Sequence, residues 1–257
     1  MSRVLEFSYD IALDFDRPVT AHSFVLRCLP AEVPGQQVLC AALTLDPAVP
    51  YTEQRDAFGN RLQIGRIDAP HQKFHYRAAG RVLREDAARV PEPDRPIFRY
   101  PSRYTAPSPA LRETAACLAP LREEKARAWA LLEAVRHHMH YTPGVTGVNT
   151  TAAQAFDLGQ GVCQDYAHIY LALARLCGLS ARYVNGLPEG EGASHAWCEV
   201  WLNGVWTGID PTRGRWTDEG YIRFGVGRDF ADCPMERGVF LGGANQCQTV
   251  FMKVSEQ

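Results

Sequence analysis

The chain has 257 residues, 46% hydrophobic and 22% charged, with 27 Lys plus Arg against 29 Asp plus Glu for a formal net charge of −2. This balance excludes a mostly disordered chain, which needs lower hydrophobicity and larger net charge, and it supplies no global field favouring nucleic acid or an anionic membrane. At roughly 150 residues per domain the length fits one large domain or two small ones, with core enough to fold without disulfide or metal.

The first ten residues, MSRVLEFSYD, carry no apolar signal-peptide core. Segments 3–15, 23–28, 37–45, 62–67 and 74–83 are rich in Val, Leu, Ile and Phe, bounded by Pro, Gly and Asp, and read as strands. Asp56 to Asn60 is the clearest turn among them. Residues 86–110 hold Pro91, Pro93, Pro96, Pro101, Pro107 and Pro109, a density that excludes regular structure beyond short turns. We read this stretch as the connection between a β-rich part, residues 1–110, and a second part, residues 111–257.

The second part begins helical. Residues 123–140 place Ala126, Trp129, Ala130, Leu132, Ala134 and Val135 at helical spacing, and Pro143 with Gly144 ends the run. Thr150 or Thr151 caps a short helix through Leu158. Gly159 and Gly161 then break the chain before a helix over 163–177, with Gly178 just past its end. Residues 182–185, 195–202 and 205–209 read as strands, and 248–254 as a final strand. Asn203-Gly204 is the strongest two-residue hairpin signal in the chain.

Cys163 opens its helix, where unpaired N–H groups and the positive dipole end favour a thiolate. The hairpin supplies a partner. A two-residue loop at Asn203-Gly204 pairs Leu202 with Val205 and sets Trp197 opposite Asp210. Strand alternation then puts His195, Trp197, Glu199 and Trp201 on one face with Asp210. His195 is the diagonal neighbour of Asp210, a base beside an orienting carboxylate. A slip of one residue separates the two. Cys198 has the opposite parity and faces away, and Cys28, Cys40, Cys117, Cys177, Cys233 and Cys247 lack a base within range. With no C-x-x-C pair, the eight cysteines read as free thiols in a reducing cytoplasm rather than a disulfide or zinc framework. Asp165 reads as a first-turn acid that stabilises the helix, with positioning of the loop around the thiol, as part of a G-x-C-x-D run, as the competing reading. Trp197 is a candidate wall of a substrate groove, with hairpin packing as the competing reading. No metal, nucleotide or NAD motif is present, so no cofactor is expected.

The run Gly161-Val162-Cys163-Gln164-Asp165, then His195-Ala196-Trp197, then Asp210-Pro211-Thr212 resembles the bacterial transglutaminase-like superfamily, with its G-x-C-x-D, H-A-W and D-P-T motifs in that order. The turn Asp56 to Asn60 is similar to the D-x-x-G-N turn of the family's bacterial N-terminal region, and Gly227-Arg228-Asp229 fits the stretch after D-P-T. Gln164 departs from the Arg that related sequences often carry. The resemblance implies an α+β fold, with an N-terminal antiparallel β unit beside a papain-like core. It implies Cys163 as nucleophile, His195 as base and Asp210 as orienter. The backbone N–H of Cys163 is the default oxyanion donor, with Gln160 as a side-chain candidate. The implied activity is thiol-dependent amide hydrolysis, a cysteine protease or amidase acting on a peptide or amide. Transglutaminase-type transfer to an amine is the alternative, and a non-catalytic binding module the further one.

Overall fold

The computed structural model describes residues 2–85 and 93–257. The N-terminal part contributes β1 (Arg3–Leu26), β2 (Gln36–Asp46), β3 (Tyr51–Arg55), β4 (Arg61–Ile67) and β5 (His71–Arg84). A 3-10 turn over Pro96–Arg99 leads to the helices α1 (Pro109–Leu118) and α2 (Glu124–His138). Then come β6 (His140–Tyr141), α3 (Ala152–Leu158), β7 (Gln160–Gly161) and α4 (Cys163–Leu176). The remaining strands are β8 (Ala181–Pro188), β9 (Gly190–Gly192), β10 (His195–Leu202), β11 (Val205–Asp210), β12 (Arg215–Trp216), β13 (Tyr221–Gly227), β14 (Glu236–Leu241) and β15 (Gln246–Glu256).

The fold is α+β, as the sequence implies. One sheet runs β2-β5-β1-β15-β9, with β4 and β14 also on β1 and β3 on β4; the other runs β12-β11-β10-β8-β13. The segments expected at 3–15 and 23–28 are one bent strand, β1. Its first half alternates strictly, burying Leu5, Phe7, Tyr9, Ile11, Leu13 and Phe15. Its second half changes partners: Leu5–Phe15 pair with β15, whereas Ser23–Leu26 pair with both β4 and β14. The bend is marked by irregular register and by Ala21 at φ +50°.

The chain returns to this sheet at its end. β14 and β15 are hydrogen-bonded to β1, although the division at residue 110 assigns them to the second part. The alternation within 1–85 gives no sign of a partner more than two hundred residues away. Of the proline-dense connection, residues 86–92, including Pro91, lie outside the described residues. Pro109 starts α1 instead of belonging to the linker: at the first helical position a proline forfeits no hydrogen bond, and Ser108 caps the helix by accepting from Leu111 N–H. Sequence reading also missed β3, β13 and β14, whose short spans carry little periodic signal.

α4 is the centre of the second part. Tyr166 through Ala174 are all buried, packed on Ala196, Cys198 and Val200 of β10 and on α1, α2 and α3. Near its end Arg175 donates to the carbonyls of Phe98, Ala181 and Arg228 and to Thr105 Oγ1. These charge-assisted bonds tie two loops to the helix end.

The two sheets share a core in which Phe224 of β13 meets Phe7 and Tyr9 edge-on at 5.7 and 6.3 Å. Two buried carboxamides complete the join. Gln36 accepts from Arg223 N–H at 2.8 Å and donates to Arg223 O at 2.7 Å. Asn60 does the same for Val226, at 2.8 and 2.7 Å. The turn's function is therefore carried by the Asn60 side chain, while Gly59, at φ +87°, takes the left-handed backbone. Asn60→Ala leaves both polar groups of Val226 without that partner. We expect a loss of about 2–3 kcal/mol of stability, read by urea denaturation; a loss below about 0.5 kcal/mol contradicts the clamp.

Candidate active site

The thiol is presented by a short, tightly bonded approach. Thr151 caps α3, Gly159 closes it at φ +66°, and β7 pairs in parallel with β6, setting Tyr141 beside Gly161. Cys163 follows as the first residue of α4 and is half-buried. The Cys163 and Gln164 N–H groups have no intrahelical acceptor, whereas Asp165 N–H meets Val162 O at 2.9 Å. Asp165, 1% exposed, reaches back to accept from Val162 N–H at 2.8 Å and from the Thr146 hydroxyl at 2.6 Å. This is the acidic half of a capping box, and it fixes both the residue before the thiol and the loop across from it. Burial pushes the Asp165 carboxyl up, against the pull of those hydrogen bonds. Gly161 is required here, because a Cβ would lie 2.5 Å from Asp165 Oδ2.

The hairpin has the register expected of it. Leu202 pairs with Val205 and Cys198 with Ile209, and Asn203 and Gly204 turn at φ +50° and +89°. His195 Nε2 lies 2.7 Å from Asp210 Oδ2. Asp210 is fully buried, its Oδ1 accepting the backbone N–H of Thr212 and of Arg213 at 3.0 Å each. Burial disfavours its charge, but the His195 contact, these amides and Tyr221 outweigh that and lower the carboxyl. Burial likewise opposes the charged imidazole. The bonds to Asp210 and to the Cys163 side chain, with their negative charges, reverse the sign and raise His195 to about 9. Nε2 is taken by Asp210, so Nδ1 is the nitrogen left for the thiol.

Of the other sequence candidates, Gln160 sits half-buried on β7, opposite His140. Trp197 is not an open groove wall. It is 2% exposed, packed with Val184, Tyr221 and Val226, its ring stacked on His195 at a centroid distance of 6.3 Å. The strand face that brings His195 to Asp210 also turns this indole into the core, and it backs the imidazole from inside. A cavity of about 420 Å³ borders Trp197, without Cys163, His195 or Asp210 in its lining. Tyr141, which feels the Cys163 charge, is exposed, as are Val145 and Val148 of the loop that Asp165 and Gln164 bond. Cys198 faces α4, against Ala167 O, as its parity requires. Tyr141 and Tyr221 lie outside the three motifs, which is why sequence reading missed them. Burial and the nearby Cys163 charge push the Tyr141 phenol up.

Residues 112–211 match the family model of the transglutaminase-like superfamily, and residues 5–83 match that of the bacterial transglutaminase-like N-terminal region. The chain belongs to the transglutaminase-like superfamily. This superfamily member is 28% identical over 260 residues to an uncharacterised protein of Mycobacterium leprae, covering 92% of this chain and 93% of that protein. An uncharacterised protein of Mycobacterium tuberculosis is 37% identical over 115 residues, 38% of this chain and 37% of its own length. Among solved structures, a candidate cysteine protease from Cytophaga hutchinsonii superposes with a TM-score of 0.81 at 22% identity, covering 100% of this chain and 91% of that one. That likeness shows the fold. No helix among the described residues is long and apolar enough to cross a membrane.

In this transglutaminase-like core, the contacts of His195 with Asp210 and Cys163 make stability depend on pH. The imidazole holds its proton more tightly in the fold, at about 9, than at its ordinary 6.5. The stabilisation is complete below about pH 6.5 and is lost as pH rises through about 9. Between these values the wild-type Tm is expected to fall more steeply than that of His195→Gln. Parallel curves contradict the pairing.

Proposed function

We propose that this protein is a thiol-dependent amide hydrolase, a cysteine peptidase or amidase, in which Cys163 is the nucleophile, His195 the acid and base, and Asp210 the orienting carboxylate. The observation that carries the reading is the 2.7 Å bond from His195 Nε2 to a fully buried Asp210, with the same imidazole also bonded to the Cys163 side chain at the start of a helix.

The Cys163 thiolate attacks the amide carbonyl carbon. A C–S bond forms, and the carbonyl electron pair moves to oxygen. The N–H groups at the start of α4 are the donors for that oxyanion. The exposed Tyr141 hydroxyl, beside Gly161, is a side-chain candidate, as is Gln160. As the C–N bond breaks, the leaving amine takes the proton from His195, giving a thioester on Cys163 and a free amine. Water then attacks the thioester, His195 accepts its proton, and the carboxylic acid and thiol separate. Asp210 holds Nε2–H throughout and stabilises the imidazolium without taking its proton.

Hydrolysis is favoured over transfer to an amine because Tyr141 and the loop bonded to the start of α4 are open to solvent: Tyr141 is 57% exposed, Val145 44% and Val148 58%. A transferase must keep water from its thioester, and desolvation is its means. The eight free cysteines, with Cys40, Cys117 and Cys247 exposed, suit a reducing compartment such as the cytoplasm.

The test is a mixed peptide-amide library incubated with the protein and methylamine, with products read by mass spectrometry. Free carboxylic acids are expected to dominate, and dominant methylamides establish acyl transfer instead. Cys163→Ala is expected to abolish both. Asp210→Asn is expected to keep the fold and lower turnover by about 10²–10⁴-fold, since it alters the imidazole tautomer and removes the countercharge. Undiminished turnover in Cys163→Ala overturns the thiol mechanism.

A further inference from the structure

Tyr221 opens β13, is 2% exposed, and belongs to none of the three motifs. Its hydroxyl donates to Asp210 Oδ2 at 2.9 Å, the oxygen that also accepts His195 Nε2. Arg215 Nε donates to the same phenol oxygen at 3.2 Å. The Tyr221 ring meets Trp197 edge-on at 5.2 Å, and Trp197 stacks on His195. Asp210 Oδ1 is held independently by the Thr212 and Arg213 amides. The two oxygens thus have separate duties, and Oδ2 is divided between the imidazole and the phenol.

We propose that Tyr221 is a positioning residue for the thiol reaction: its hydroxyl shares Asp210 Oδ2 with His195, aiming that oxygen and drawing off part of its charge so that the imidazolium remains able to release its proton. The proposal rests on the Cys163–His195–Asp210 reading above. A buried carboxylate concentrated on one imidazole makes that ring more basic and a poorer acid toward a leaving amine. A second donor on the same oxygen moderates the effect without disturbing direction. Tyr221 suits this task because burial and the Asp210 charge push its phenol up to about 12, so it stays a donor at neutral pH. Arg215 strengthens that donor by bonding the phenol oxygen. Arg215 and Arg213 also lie over its ring, 5.3 and 5.7 Å from the centroid.

The charged and titratable groups facing the pair are few. Cys163 approaches from α4, Asp210 from β11, Arg213 from the following turn, Arg215 from β12 and Tyr221 from β13. Tyr141 and Tyr183 face the thiol side. Guanidinium groups keep their charge, so with the thiol removed the imidazole is the group among these that titrates between the carboxylate and phenol ranges.

The experiment is an NMR titration of the full chain labelled with ¹⁵N-histidine, in a Cys163→Ala background, with the His195 signal assigned from its loss in His195→Gln. Phe at 221 keeps the ring against Trp197 and removes only the hydroxyl, so a role in packing alone leaves the titration where it was. Tyr221→Phe is expected to raise the His195 midpoint by about half a pH unit or more, since loss of a hydrogen bond to a charged group exceeds that in energy. A midpoint that coincides with the parent, or falls, overturns the proposal. Should Tyr221→Phe fail to fold, Arg215→Gln decides at a half-exposed side chain: a smaller rise supports the proposal and no shift overturns it. Asp210→Asn in the same background tests the reading beneath. A lowered midpoint sustains it, and an unchanged one removes that reading and the proposal together.

Discussion

A fully buried carboxylate governs this site. Asp210 has no exposure to water, so its charge must be met inside the protein. Four donors meet it: His195 Nε2–H and the Tyr221 hydroxyl at Oδ2, and the Thr212 and Arg213 amides at Oδ1. Each comes from a different position in the chain, and the imidazole must come to this point to be satisfied. The same constraint that makes the ring basic fixes which of its nitrogens faces the thiol. Removing a single partner leaves a charge partly unmet in a low dielectric, which costs far more than the bond alone contributes.

The N-terminal sheet enters the site through β13. Gln36 and Asn60 clamp the backbone of this strand at Arg223 and Val226, while Phe224 between them is packed on Phe7 and Tyr9. Tyr221, at the start of that strand, touches Asp210. β14 and β15 close the sheet around β1 from the other end of the chain. The β unit is thus part of the support for the carboxylate, and its carboxamides act as surrogate strand partners where no strand is available.

The hairpin was legible because one turn type fixes one register. Asn203-Gly204 determines that Leu202 meets Val205, and alternation alone then brings His195 and Asp210 to one face. Cys163 at a helix start was equally plain from Gly159 and Gly161. Long-range pairing was not legible: nothing local to residues 3–26 announces β14, β15, or a single bent strand. Nor was Tyr221, because a lone tyrosine at the start of a short strand has no periodic or motif signal, and its partner lies across the sheet. Trp197 shows the limit of reasoning from faces. Its side of the strand was right, but whether that side is open or covered depends on β13 and on the N-terminal turn.

Chemistry at this site requires that the imidazole and the helix start together make Cys163 a reactive thiol. The direct measurement is the rate of iodoacetamide modification at each cysteine of the intact protein at pH 6, followed by peptide mass spectrometry. Cys40, Cys117 and Cys247 are more exposed than Cys163 and serve as internal references. Cys163 is expected to react at least tenfold faster than any of them, and His195→Gln is expected to remove the advantage. If Cys163 reacts no faster than these exposed thiols in the wild-type protein, the site is not an activated nucleophile.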